Sequence, residues 1–193
     1  EYHPTLVTAE HPDQPTHLVL DLDPPEGDGF AAAVQAARLV REVLDVAGLT
    51  CVVKTSGAKG VHVFVPVSGA SLDEAAAATR AIAARAEALD PAVATTAFMK
   101  EDREGKVFVD ATRVGGATVV AAFSPRVRPG TPVSFPVRWD DLDDVAPGDF
   151  TVHTVPGHLA DAGPWLTDLD GQQAIPADLV EEGRGIAPGR VQA

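Results

Sequence analysis

Residues 17–30 read HLVLDLDPPEGDGF, an apolar run that ends on two aspartates before Pro24 and Pro25 stop it. In an extended strand, residues i and i+2 share a face, so Asp21 and Asp23 point one way and Leu22 the other. Two carboxylates held side by side repel, and partial burial raises the cost further. A hard divalent cation removes that cost, because it takes oxygen ligands from such pairs. A bare pair of aspartates at a strand end is also common, with one of them capping the turn at Pro24, so the neighbouring segments have to decide.

Two segments bear on it. KTSGAKGVHVFVP, residues 54–66, is a turn of small residues followed by an apolar strand. Backbone amides in such a turn can face an anion, and Lys54, Ser56 and Lys59 would add charge and a hydroxyl donor. Its spacing is not that of a Walker loop, which needs Lys followed directly by Ser or Thr and then a helix. His62 shares a face with Phe64 and is opposed to Val61, Val63 and Val65. A lone strand histidine is more often structural, but one beside a Gly-Lys turn and an acidic strand suits a phosphate or sugar contact. REGKVFVDATR, residues 103–113, places a third carboxylate, Asp110, in an apolar strand bracketed by Arg103 and Arg113, and Arg126 and Arg128 follow. Each arginine alone reads as surface charge. Three strand carboxylates with flanking cations suit a metal-bound polyphosphate, the carboxylates holding two metals and the cations the phosphate oxygens.

These residues need a scaffold. After a Pro-rich entry, residues 17–23 form a first strand. Asp28 caps a helix from about Phe30 to Ala47 that Gly48 ends. Residues 49–54 and 61–67 form two further strands, with Pro66 near the end of the latter. Ser71 and Glu74 make a capping box that opens an Ala-rich helix to about Leu89. Residues 94–99 and 106–112 read as strands joined by the charged turn KEDREG, and ATVVAA at 117–122 as another short strand. The order is α+β, a ferredoxin-like or RRM-like split β-α-β-β-α-β core with extra strands. In that arrangement the first and third strands are central neighbours, which puts His62 beside Asp21 and Asp23.

Composition narrows the class. At 193 residues, with 45% hydrophobic residues, the chain is long enough for one well-packed domain with a short tail. No apolar run approaches a membrane span, and no signal-peptide pattern is present. The single Cys51 has no internal disulfide partner, which suits a reducing cytoplasm and reads as a buried thiol. The formal net charge is −13. The acidic excess lies in the flanks and the stretch from Cys51 to Arg138 is mildly basic, so nucleic-acid binding is open without being argued for. His3, His11, His17, His153 and His158 are scattered without ligand spacing. Trp139 is expected to pack the start of a short helix and Trp165 to anchor the tail.

LVLDLDP, KTSGAKGVHVFVP, VFVDATR and FSPRVRPGTPVSFPVRWDDL, in that order, closely resemble the polymerase domain of bacterial DNA ligase D, in the archaeo-eukaryotic primase superfamily. The resemblance covers residues 1–165, a primase-polymerase catalytic module, and leaves 166–193 as a C-terminal extension without a motif. It implies that Asp21, Asp23 and Asp110 are the catalytic, metal-binding triad for two ions, Mn2+ or Mg2+. It implies that Ser56, Lys59 and His62 form the nucleotide-binding motif and that Arg103 and Arg126 contact the triphosphate, with Arg113 able to hold phosphate. The activity implied is template-directed addition of nucleoside triphosphates, ribonucleotides by preference, at DNA ends or gaps. The setting implied is non-homologous end joining with Ku and an ATP-dependent DNA ligase, in the bacterial cytoplasm at the nucleoid. The sequence departs from the family at Arg113-Val114, where members commonly carry Gln-Asn, and the loop that follows is one residue shorter. The family's upstream half, which helps bind template and the DNA 5′-phosphate, is expected to lie outside this sequence, which opens on Glu1 without an initiator Met.

Two other classes fit parts of the pattern. A metal-dependent phosphodiesterase or nuclease could use a similar acidic triad, though it would usually recruit more histidines. A non-catalytic nucleic-acid-binding module displays stacking aromatics on the exposed sheet face, where this chain has aspartates.

Overall fold

A computed structural model describes residues 1–27, 29–114, 117–162, 165, 168–169 and 172–187. The expected Asp28 cap falls outside them. Valine and leucine runs broken by Pro and Gly make six strands, and two long alanine-rich stretches with helical periodicity make the main helices. Strand β1 is His17–Asp23, helix α1 is Phe30–Val46, β2 is Val52–Thr55 and β3 is Val61–Pro66. Helix α2 is Leu72–Leu89, followed by β4 (Ala94–Thr95), β5 (Val107–Asp110), β6 (Pro136–Val137) and the short helices α3 (Val155–His158) and α4 (Ala177–Arg184). The six strands form one sheet in the order β4-β5-β1-β3-β2-β6. β1 lies antiparallel between β3 and β5, and β3 lies antiparallel between β1 and β2. The first and third strands are therefore neighbours near the centre of the sheet, where His62 was expected to meet the aspartates.

Helix ends follow their chemistry. Ser71 Oγ accepts from the Glu74 amide while Glu74 reaches back to the Ser71 amide, closing the capping box of α2. Gly48, at φ +72°, lets the amides of Gly48 and Leu49 return to the carbonyls of Asp45 and Leu44, which terminates α1. The buried stripe of α1 (Ala33, Val34, Ala37, Val40, Leu44) and the alanines of α2 join the core with Leu18, Leu20 and Leu22 of β1 and Val61, Val63 and Val65 of β3. No helix among the described residues is long and apolar enough to cross a membrane.

Several expected elements differ. The strand expected over 94–99 is two residues long and pairs parallel to β5, and KEDR at 100–103 is a 3-10 helix. The left-handed Glu104 and Gly105 return the chain to β5 in the same direction it left β4. Residues 117–122 are not a strand. Thr118 makes an isolated bridge with Thr5, and the amides of Val119 and Ala121 donate to the carbonyls of Pro4 and Tyr2, because the partner is an irregular N-terminal arm rather than a sheet edge. Trp139 heads a run of turns instead of a helix. Its indole N–H donates to the Cys51 carbonyl at 2.9 Å, and the Arg41 guanidinium lies 5.0 Å from its ring centre. Trp165 is buried edge-on against Phe64. Beyond it, Gln173 bonds to Thr50 and Pro66, and α4 lies on α2, with Arg80 Nε donating to the Gly183 carbonyl.

Candidate active site

The strand registers place four polar side chains in a single row across the sheet. Lys54 of β2 is opposite His62 of β3, His62 is opposite Asp21 of β1, and Asp21 is opposite Asp110 of β5. Directly opposed residues share a face, so the row runs along the side of the sheet that also carries Asp23, Phe64 and Phe108. The row is wired together. Lys54 Nζ lies 3.0 Å from His62 Nδ1 and donates to Ser134 Oγ, whose hydroxyl donates in turn to the Thr55 carbonyl. His62 Nε2 lies 3.2 Å from Asp21 Oδ1. One nitrogen of Arg113, Nη2, stands 2.9 Å from Asp21 and 2.8 Å from Asp110. Thr112 holds the other Asp110 oxygen through its amide and hydroxyl.

Burial and charge pull against each other along this row. Burial lowers the Lys54 ammonium to a pKa of about 7 against the attraction of Asp21, with Arg126 lowering it further. Burial and Lys54 also push His62 below its ordinary value, so the imidazole favours the neutral form, the state that hydrogen-bonds a carboxylate through one N–H. Burial would raise Asp21, but His62, Arg113 and Lys54 outweigh it and hold the carboxyl well below the usual carboxylate range.

The remaining residues divide. Asp23 points from the same face but pairs with Lys59 at 3.4 Å and Arg103 at 3.3 Å, away from the bridged pair. Arg103 is pinned further by the carbonyls of Ala97 and Phe98 and by stacking over Phe108 at 4.0 Å. The turn after β2 is internally spent: Ser56 Oγ accepts from the amides of Ala58 and Gly60, so those two groups face the serine rather than an open anion site. Arg126 donates to the Ser56 carbonyl and pairs with Glu1. The structure thus brings Asp21, Asp110, His62 and Arg113 into one cluster, with Asp23, Lys59 and Arg103 in a second beside it and Ser56 and Arg126 at the turn. Among the described residues no set of three acidic, His or Cys side chains stands close enough to hold one metal ion. The donor chemistry still fits a hard cation: two carboxylates face each other across adjacent strands, and a cationic nitrogen already lies between them. An apolar cavity of about 230 Å³ under α2, lined by Ala83, Phe98 and Phe108, holds none of the three carboxylates.

Residues 1–165 match the family model described as "LigD, primase-polymerase domain". The chain belongs to that family. The multifunctional non-homologous end joining protein LigD of Mycobacterium bovis is 36% identical over 167 residues, 86% of this chain and 22% of that protein. The protein of the same name from Pseudomonas aeruginosa is 33% identical over 192 residues, 96% of this chain and 23% of that protein. The bifunctional LigD of Bacillus subtilis is 31% identical over 80% of this chain and 26% of its own length. The chain spans about a quarter of these relatives. Among solved structures, the polymerase domain of Mycobacterium tuberculosis ligase D in complex with DNA superposes with a TM-score of 0.72 and 36% identity, over 81% of this chain and 55% of that one. The mixed α/β body with one open six-stranded sheet is therefore that of a LigD polymerase domain. Within it, Ser134 joins the row through Lys54 although nothing in the sequence pattern selected it, and Lys54, expected to offer charge to an anion at the turn, reaches His62 and Ser134 instead. Lys54 sits in a strand whose four residues are all buried, and the register places it opposite His62 rather than toward an open turn.

Proposed function

We propose that this chain is the catalytic half of a template-directed polymerase of the ligase D type. It adds nucleotides, ribonucleotides by preference, at DNA ends or gaps during non-homologous end joining, in the cytoplasm at the nucleoid, alongside Ku and an ATP-dependent DNA ligase. The observation that carries this reading is the row Lys54–His62–Asp21–Asp110, with one cation shared by its two carboxylates. Asp21 and Asp110, with Asp23 beside them, would hold two ions, Mn2+ or Mg2+. When bound, such ions neutralise the triphosphate and activate the primer hydroxyl. The protein's part is positioning. His62, held at Nδ1 by Lys54, keeps Nε2 on Asp21 and fixes that carboxylate's angle. Ser56, Lys59, Arg103, Arg113 and Arg126 ring the row and offer hydroxyl and cationic donors for phosphate oxygens. No side chain acts as a nucleophile.

The test is gap filling by the full-length parent with manganese and labelled nucleoside triphosphates. Asp21→Asn and Asp110→Asn should each abolish extension while the circular dichroism stays that of the wild type. Extension by either variant at the wild-type rate overturns the reading. Degradation of labelled DNA with manganese and no nucleotide would point to a nuclease instead.

A further inference from the structure

Arg113 touches both carboxylates of the central pair through the same atom. Nη2 stands 2.9 Å from Asp21 and 2.8 Å from Asp110. Guanidinium normally grips a carboxylate with two parallel N–H groups, which makes the pair strong and directional. Here one nitrogen serves two acids, and the shielded Nε has no partner among the described residues. The side chain is one-third exposed, at 33%, so an outward path is open. The grip is thus well placed for charge and poor in hydrogen bonds.

The position matters more than the strength. Asp21 and Asp110 are directly opposed on adjacent antiparallel strands, where like charges repel unless something positive lies between them. A hard divalent cation would take oxygens of both carboxylates at about 2.0–2.6 Å, which is the space Nη2 now fills. The guanidinium and such an ion exclude each other.

We infer that Arg113 is a placeholder cation: it neutralises Asp21 and Asp110 in the metal-free chain and must swing out before a metal can enter. This rests on the reading of Asp21 and Asp110 as metal ligands. A displaced guanidinium needs a new anion, and a triphosphate entering beside the row supplies one. Arg113 then couples the two ligands, since whatever draws it away raises the affinity for metal, and metal in turn raises the affinity for the anion that receives it. A neutral residue at this position would bind metal without waiting for nucleotide.

The measurement is Mn2+ titration of the chain, followed by electron paramagnetic resonance of the free ion, with no nucleotide present. Arg113→Gln should bind Mn2+ at least about 10-fold more tightly than wild type, within the usual range of such couplings, while Arg113→Lys should stay near wild type. Arg113→Gln should also melt lower than wild type without metal and gain more on adding it. Equal Mn2+ affinity in wild type and Arg113→Gln, with binding lost in Asp110→Asn, overturns the placeholder and leaves the metal site standing. No Mn2+ binding by any form overturns the metal-ligand reading beneath it. Should Arg113→Gln fail to fold, the wild type answers through the Nε resonance of Arg113, which must shift at saturating Mg2+. An unmoved resonance under saturation means that metal and arginine coexist, and the inference fails.

Discussion

Lys54 Nζ lies 3.0 Å from His62 Nδ1, and both side chains are buried. A lysine with no access to water carries its charge at a cost that Asp21, one strand beyond His62, only partly offsets. Burial takes its pKa from the ordinary lysine value down to about 7. The sign of the consequence is fixed. Between about pH 7 and pH 10 the folded chain has released this proton while the unfolded chain keeps it. The unfolded state then binds more protons, and stability rises with pH in that window. Below pH 7 both states hold the proton and the full cost of burying the charge remains. Denaturant unfolding of wild type and Lys54→Met at pH 7 and pH 9.5 should show the wild type gaining on the variant, by something on the order of a few kcal/mol. A difference that does not change with pH would show that Lys54 is not charged and buried together.

The same pair marks where sequence reasoning succeeds and where it stops. Strand periodicity placed Asp21 and Asp23 on one face, and the order of elements placed His62 beside them, because both follow from period and connectivity. Lys54 is legible as a cation at the turn, but its burial and its contact with His62 follow only once register is known. Arg113 lies three residues past Asp110, beyond the end of β5, and its reach back over two strands depends on the turn at Thr112. ATVVAA has strand-forming residues but meets no sheet edge, so propensity yields to tertiary context. Resemblance carried the triad and the arginines together, whereas the geometry separates Asp23 from the bridged pair.

Arg103 follows a different logic from Arg113. Its three guanidinium nitrogens reach Ala97, Phe98 and Asp23, and its plane lies over Phe108. Such a planar, stacked fork is specific to arginine. Arg103→Lys should therefore lower stability nearly as much as Arg103→Ala, by about 1–2 kcal/mol, in chemical denaturation. A lysine variant as stable as wild type would remove that pinning role.

The capping box of α2 is a local and separable device. Ser71→Ala removes the acceptor for the Glu74 amide and should cost about 1 kcal/mol. The loss should appear as a lower denaturation midpoint with unchanged slope. Glu74→Ala should cost a similar amount, and the double variant less than the sum, because each change already breaks the reciprocal pair.

Gly183 decides how α4 is held. A Cβ built at this position would lie 1.8 Å from the Ala77 carbonyl oxygen and 2.4 Å from its carbon, both rigid helical backbone of α2. Neither atom can withdraw without breaking α2, so the added methyl has to displace α4. The Arg80 bond to the Gly183 carbonyl and the Arg85 pairs with Asp178 and Glu182 would go with it. The exposed pairs contribute little. The main loss is the packing of Leu179 and Val180, buried in the core, on the order of 2–4 kcal/mol. Gly183→Ala should therefore raise amide exchange across residues 177–184 by orders of magnitude while the amides of β1 and β3 keep their protection. Unchanged exchange in α4 would mean that the close approach of the two helices is not what the glycine permits.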